Sequence, residues 1–142
     1  MTRVQIMQDL LAALAAISPL NGYAVQVRDV RRGIHLAEEF NELPALSLFN
    51  EAVDTRDLTG GSAERELILH VWGAAKAVND NYAELDALAA SCLRVLADPA
   101  RNPHWQATSC GRLEMYEGGA GDPLGLFDLE VRVIYESPLG TL

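Results

Sequence analysis

The sequence has few basic residues. Only 11 Lys and Arg stand against 20 Asp and Glu, which gives the 142-residue chain a formal net charge of −9. Nucleic-acid binding depends on clustered cations that neutralise phosphates, so this composition argues against a nucleic-acid-binding protein. The acidic balance instead favours solubility, and it makes any channel-like surface repel DNA.

Long apolar runs and cysteine motifs are also missing. No stretch approaches the roughly 20 apolar residues of a membrane-spanning helix, so we expect no membrane association. Cys92 and Cys110 form no Cys-x-x-Cys motif. Cys92 falls on the apolar side of a predicted helix, which favours a buried free thiol over a pairing of the two cysteines. The length favours one domain spanning residues 1–142.

The apolar run LLAALAAI (residues 10–17) has two interpretations. It is similar in length to the core of a secretory signal peptide. Polar residues interrupt the approach to it, however, and the apolar positions fall on one stripe of a helix. Thr2 and Gln5 have the spacing of a capping box, so we expect an amphipathic packing helix from about Arg3 to Ile17.

Two strand-like segments follow this helix. YAVQVRDVRR (residues 23–32) alternates apolar and polar side chains, as a half-buried strand does. NELPALSLFNEAV (residues 41–53) predicts a second strand, in which Pro44 marks either the start or an edge with one unpaired flank, because proline cannot donate to a ladder. Unpaired edges are docking surfaces in assemblies.

The remaining segments complete the predicted fold. RELILHVWGAA (residues 65–75) is apolar on both faces. We therefore expect a central strand that is covered on both sides, or a strand with one face that binds a partner. Asn79 or Asp80 is expected to cap a second helix that reaches Asp98, and residues 110–117 and 126–136 form the last strands. The order α-β-β-β-α-β-β predicts an α+β fold, a mainly antiparallel sheet of about five strands with two helices packed on one face.

Motifs for metal binding or catalysis are weak. The densest carboxylates lie within residues 54–66 and would suit a divalent cation or an acid–base pair. Interleaved Arg56 and Arg65 favour instead a solvated, mobile loop over residues 54–63. No histidine has metal-ligand spacing, and His70 is expected to bond a backbone group. We therefore expect no enzyme, no metal and no cofactor.

The order of segments resembles a known family. The helix leads through NGY into VQVRDVRRG, and LPALSLF, ELILHVWG, YAELDALAA and GLFDLEVRVIYE follow. Together these segments resemble the tail terminator (minor tail or tail-completion) proteins of long-tailed bacteriophages, over nearly the whole chain. The order, the length and the PALSLF strand carry the resemblance.

The resemblance implies a structural role in virion assembly. Proteins of this family form a ring of six subunits that caps the head-proximal end of the tail tube and ends its polymerisation. The ring would contact the tail tube protein and the head-side connector, and DNA would pass through its channel without sequence-specific binding. The protein would assemble in the host bacterial cytoplasm and reside at the neck end of the virion tail.

The candidate interface residues lie on predicted loops and on one aromatic position. We expect contacts with a neighbouring subunit or the tube at Asp54, Arg56, Asp57, Leu58, Trp72, Asp122 and Leu124. Three alternatives remain open at this stage: another neck or connector protein, a dimeric α+β ligand-binding module, and an enzyme with an acidic metal site. The partner protein, the oligomeric state and metal-dependent stabilisation distinguish them.

Overall fold

The computed structural model describes residues 2–98, 107–119 and 122–142. Its helices and strands, in chain order, are α1 (Arg3–Ala15), β1 (Asp29–Arg32), β2 (Ala45–Asp57), β3 (Ser62–Lys76), α2 (Ala83–Ala97), β4 (Ala107–Glu117) and β5 (Leu124–Pro138). Short 3₁₀ turns lie at Pro19–Asn21 and Ala37–Glu39. The predicted α+β class and the element order are confirmed. No helix among the described residues is long and apolar enough to cross a membrane.

The five strands form one sheet in the order β1-β2-β3-β5-β4. The β2–β3, β3–β5 and β5–β4 pairs are antiparallel, as predicted. The β1–β2 pair is parallel, which the short link between the two predicted strands did not indicate. A parallel pair needs a crossover connection. Here residues 33–44 provide it, and we call them the crossover segment.

Helix α1 begins where the sequence predicts. The Thr2 side chain accepts a hydrogen bond from the Gln5 backbone, and the Gln5 side chain accepts one from the Thr2 backbone, which completes the capping box. The helix ends at Ala15, two residues before the predicted end at Ile17. Its fully buried positions are Ile6, Met7, Leu10 and Leu14, so the apolar stripe packs into the core as expected.

The predicted first strand is mostly not a strand. Tyr23, Val25 and Val27 are buried in alternation, but only Asp29–Arg32 pair in the sheet. The amide of Val27 donates to Ile17 O at 3.0 Å, so its backbone is bonded to the end of the helical region. The alternation of apolar and polar residues therefore predicts which side chains are buried. It does not show that the backbone pairs with a neighbouring strand.

The predicted loop over residues 54–63 is wrong. Strand β2 continues to Asp57 and β3 begins at Ser62, which leaves a turn of residues 58–61. The start of β2 directly after Pro44 confirms one of the two predicted roles for that proline. The polar side chains of residues 54–57 gave no strand signal, because they are exposed and their backbone pairs with β3.

The N-terminus of α2 also differs from the prediction. Asn79 and Asp80 have φ angles of 51° and 60° and form a turn before the helix. Tyr82 holds the capping position, and the Asn81 side chain accepts a hydrogen bond from the amide of Ala83 at 2.9 Å. The cap is therefore supplied by the residue after the two predicted ones.

Both helices pack on one face of the sheet. Alternate residues of the two long central strands point to them and are fully buried, including Leu67, Leu69 and Val71 of β3 and Leu129 and Val133 of β5. Cys92 of α2 is a buried free thiol, as predicted, and burial raises its pKa. We call the opposite side of the sheet the open face.

Arg65 is buried, which corrects its predicted place on a solvated loop. Its side chain is only 5 % exposed. The guanidinium donates to Ser137 Oγ at 2.8 Å, to Thr55 Oγ1 at 2.8 Å and to Leu139 O at 2.9 Å. It therefore joins β2, β3 and the end of β5 near the turn of the β2–β3 hairpin.

Candidate functional site

The open face combines aromatic and charged side chains. The register aligns Phe49 of β2 with His70 of β3, and it aligns Trp72 with Asp128 of β5. The rings of Phe49 and His70 stack with centroids 5.2 Å apart and an interplanar angle of 9°. Trp72 meets Phe49 edge-on with centroids 4.8 Å apart. Three rings thus form a continuous row across two strands.

His70 lies between two carboxylates. Its Nδ1 is 2.7 Å from Asp128 Oδ1, and its Nε2 is 2.9 Å from Glu51 Oε2. Partial burial lowers the pKa of His70, but hydrogen bonds and charges of Asp128 and Glu51 outweigh that effect and raise the pKa above its ordinary value. These side chains replace the predicted backbone partner. They come from three strands, so only the register brings them together.

A cavity of about 350 Å³ opens on this face, between the crossover segment and the sheet. We call it the crossover cavity. Its walls are mostly apolar or aromatic and comprise His35, Leu36, Ala37, Phe40, Trp72, Gly73, Ala74, Tyr116, Leu126, Phe127 and Asp128. The volume lies at the lower end of the range typical of ligand pockets, which suits a single side chain or a small molecule.

Asp128 is the only carboxylate in the cavity wall among the described residues. Its Oδ1 is bonded to His70, whereas Oδ2 accepts no hydrogen bond from the described part of the chain. Neighbouring Tyr116 donates its hydroxyl to Glu114, and this bond raises the pKa of Tyr116. An Asp128 oxygen without a hydrogen bond from the described residues therefore shares the cavity wall with three aromatic residues, Phe40, Trp72 and Tyr116.

Two buried polar atoms on this face have no hydrogen-bond partner among the described residues. They are Trp72 Nε1 and Ser47 Oγ, which belong to directly paired residues of β3 and β2. An unsatisfied buried group costs roughly 1–3 kcal/mol.

The structure separates the candidate interface residues into three places. Asp54, Arg56 and Asp57 lie on β2 and Leu58 in the turn that follows, all at one end of the sheet. Asp122 and Leu124 lie at the opposite end, where Leu124 pairs with Lys76. Fifteen residue pairs of β3 and β5 separate the ends, which at 3.3 Å per residue is roughly 45 Å.

Trp72 is the third place. It lies on the open face in the wall of the crossover cavity, near the Leu124 end of the sheet. The second apolar face of β3, predicted from Ile68 and Trp72, is therefore real and is covered only in part. Trp105 and His104 lie outside the described residues.

The sheet has two unlike edges. Strand β1 pairs only with Ala45, Leu46, Ser47 and Leu48, so residues 49–57 of β2 have no strand on their outer side in the described parts of the chain. The other edge is β4, which carries a bulge between Cys110 and Leu113. Free edges offer backbone donors and acceptors to another strand.

The carboxylates of the predicted acidic loop do not assemble into a metal site among the described residues. Within residues 2–98, 107–119 and 122–142, no group of three or more His, Cys, Asp and Glu is placed to hold a metal ion. On the predicted acidic loop, Glu64 pairs with Arg56 at 3.2 Å and Glu66 with Arg132 at 2.7 Å. These carboxylates are therefore engaged in cross-strand ion pairs.

Comparison with known proteins assigns no family. No protein-family model matches the chain, and no curated protein shows significant sequence similarity to it. The resemblance to tail terminator proteins therefore stays a prediction that depends on the order of segments. The described part of the chain offers a sheet whose two edges pair with no further strand, an aromatic open face and a partly open cavity.

Proposed function

We propose that this protein is a phage tail terminator: a non-enzymatic virion protein that caps the tail tube as a ring of six. The resemblance of its segments to that family suggests the role. The observation that carries the proposal is the pair of unlike free edges, the outer side of residues 49–57 and strand β4. A closed ring is built from heterologous contacts, in which one surface of each subunit meets a different surface of the next.

The placement of the candidate residues supports a cap with two partners. One group, Asp54, Arg56, Asp57 and Leu58, is at the tip of the β2–β3 hairpin, and Asp122 and Leu124 are roughly 33–45 Å away at the other end. A protein between the tail tube and the head-side connector has to offer two separate docking ends. The same arrangement does not favour one compact active site.

The charge of the chain supports passage of DNA without retention. The net charge is −9, and the open face carries carboxylates on β2, β3 and β5. An acidic channel wall would repel the phosphate backbone and leave few cations to hold it.

Native mass spectrometry across a concentration series, with and without the tail tube protein of the same virus, tests the proposal. We expect a six-subunit species, either free or on tube ends. Arg56→Glu should weaken it, because Arg56 lies on the free edge and is 71 % exposed. Arg28→Glu is the matched control, with the same charge change at an exposed site outside the candidate set. A stable dimer that ignores the tube would refute the proposal.

One observation favours a second candidate, a dimeric ligand-binding module. The crossover cavity is large enough for a small ligand. A dimer with a small-molecule ligand would show a melting temperature that rises with ligand concentration and no response to tube protein. Another neck or connector protein would form a ring that binds the head-side partner and not the tube.

A further inference from the structure

The walls of the crossover cavity have the chemistry of a cation site. Aromatic faces attract cations, and Trp is the strongest of them. Phe40, Trp72 and Tyr116 supply such rings, and Asp128 supplies a carboxylate whose Oδ2 is free of hydrogen bonds from the described residues. Among those residues, no Lys or Arg lines the cavity. Arg31 lies over the Phe40 ring at 5.3 Å from its centroid, so Trp72 and Tyr116 are the rings that an incoming cation would meet.

The rest of the wall suits an aliphatic stem. Leu36, Ala74 and Leu126 are apolar, and Leu126 remains 37 % exposed at the protein surface. Arginine and lysine side chains bury their methylene groups against apolar surface and keep the charged end on a polar group. A cavity of about 350 Å³ with apolar walls and one free carboxylate oxygen fits this shape.

We propose that the crossover cavity binds an arginine or lysine side chain from a basic segment of a different protein. We favour a different protein over a second copy of this chain, because two copies with a net charge of −9 each repel one another. Charge complementarity also disfavours an acidic or phosphorylated segment, since Asp128 is the carboxylate in the described cavity wall. The nearby Glu114 and Glu130 are paired with Arg112 and Arg132. This inference goes beyond the proposed function by stating the chemistry of a partner.

The side chain would enter next to the Asp128–His70 pair. A guanidinium or ammonium placed at Asp128 Oδ2 forms a charge-assisted hydrogen bond without displacing His70 from Oδ1. This ion pair would be partly exposed to solvent, so we expect it to weaken as salt concentration rises.

The test uses peptides of defined charge and two-dimensional NMR of the isotopically labelled full chain. The probe is the capped pentapeptide Gly-Leu-Arg-Leu-Gly, and its control carries citrulline, which keeps the shape of arginine and removes its charge. We expect the arginine peptide to shift the signals of Trp72, including its indole N–H, and of Leu126. The citrulline peptide should bind at least tenfold more weakly.

Two variants locate the binding. Leu126→Arg places a cation at the cavity and should abolish binding, and Asp128→Asn should weaken it severalfold while keeping the side-chain shape. Glu136→Gln, an exposed carboxylate farther along β5, is the control and should leave binding unchanged. Circular dichroism establishes that each variant is folded, and Asp128→Asn decides the outcome if Leu126→Arg does not fold.

Several results would overturn the inference. Equal binding of arginine and citrulline peptides would make the cavity a purely apolar site. Absence of shifts at millimolar peptide would show that it binds no such side chain. If Leu126→Arg prevented the protein from self-associating, the occupant of the cavity would be a second copy of this chain. Peptide binding by a protein that forms no ring would refute the proposed function alone, and a ring that ignores the peptide would refute this inference alone.

Discussion

Gly73 is the position where the packing of the sheet allows no side chain. A Cβ atom built there would lie 1.9 Å from Phe127 Cε2 and 2.4 Å from Phe127 Cζ, well below any real contact. Phe127 is only 2 % exposed and is held by the core around it. Gly73→Ala therefore forces the ring and its neighbours to move.

The expected cost is the difference between two effects. Overpacking a core costs about 1–3 kcal/mol, and alanine recovers about 0.5–1 kcal/mol relative to glycine in the interior of a strand. Because the overlap is severe, overpacking should dominate, and we expect a net loss of about 1–2 kcal/mol. At about 4 °C per kcal/mol for a domain of this size, the melting temperature should fall by several degrees.

A double-mutant cycle with Phe127→Leu identifies the cause. The smaller side chain makes room for the alanine methyl group, so Gly73→Ala should cost less in the Phe127→Leu background, with a coupling of about 0.5–3 kcal/mol. Urea unfolding followed by circular dichroism measures all four corners. Gly111→Ala is the control, because its Cβ would meet only the flexible Glu130 side chain at 3.3 Å. Additive effects, or a Gly73→Ala protein as stable as the parent, would refute the reasoning.

Three further predictions concern stability. Arg65→Ala should lower the free energy of unfolding by about 3 kcal/mol in urea titrations, because it leaves three acceptors without their donor; a loss below about 1 kcal/mol would contradict this. Thr2→Ala removes the capping box of α1 and should cost about 1 kcal/mol, whereas Thr2→Ser should restore most of it; equal melting temperatures for both variants would argue against the cap. The pKa of His70 is raised in the folded state, so protonated His70 stabilises the fold. This stabilisation is complete below the unfolded-state pKa of about 6.5 and is lost as pH rises through the folded-state pKa. The stability difference between the parent and His70→Asn should therefore shrink above about pH 6.5, and a difference that grows with pH would refute the assignment.

Local signals explain what the sequence could predict. The Thr2–Gln5 spacing defines the start of α1, and the alternation that ends at Tyr135 defines most of β5. Both signals act within a few residues, and the structure confirms both. The class and the element order follow from such signals, because each segment carries its own periodicity.

Non-local pairing explains what the sequence could not predict. Residues 54–57 are polar, which predicts a loop, yet backbone pairing with β3 makes them strand. The parallel pairing of β1 with β2 depends on the path of the crossover segment, and so does the cavity beneath it. Likewise, Glu51, His70 and Asp128 are distant in sequence and meet only through the register of three strands. Of the candidate site residues, only Trp72 lies in the cavity wall.

The hydrogen bonds of buried Arg65 at one end of the sheet differ in their pH dependence from those of His70. Its acceptors are two hydroxyl groups and a carbonyl, none of which titrates in the physiological range, and a guanidinium keeps its charge throughout that range. Burial also shields these bonds from salt. Acidification or a change in ionic strength should thus leave the turn end of the hairpin rigid while it alters the contacts around His70. In changing surroundings the chain would keep this end of its sheet in place and vary its aromatic face.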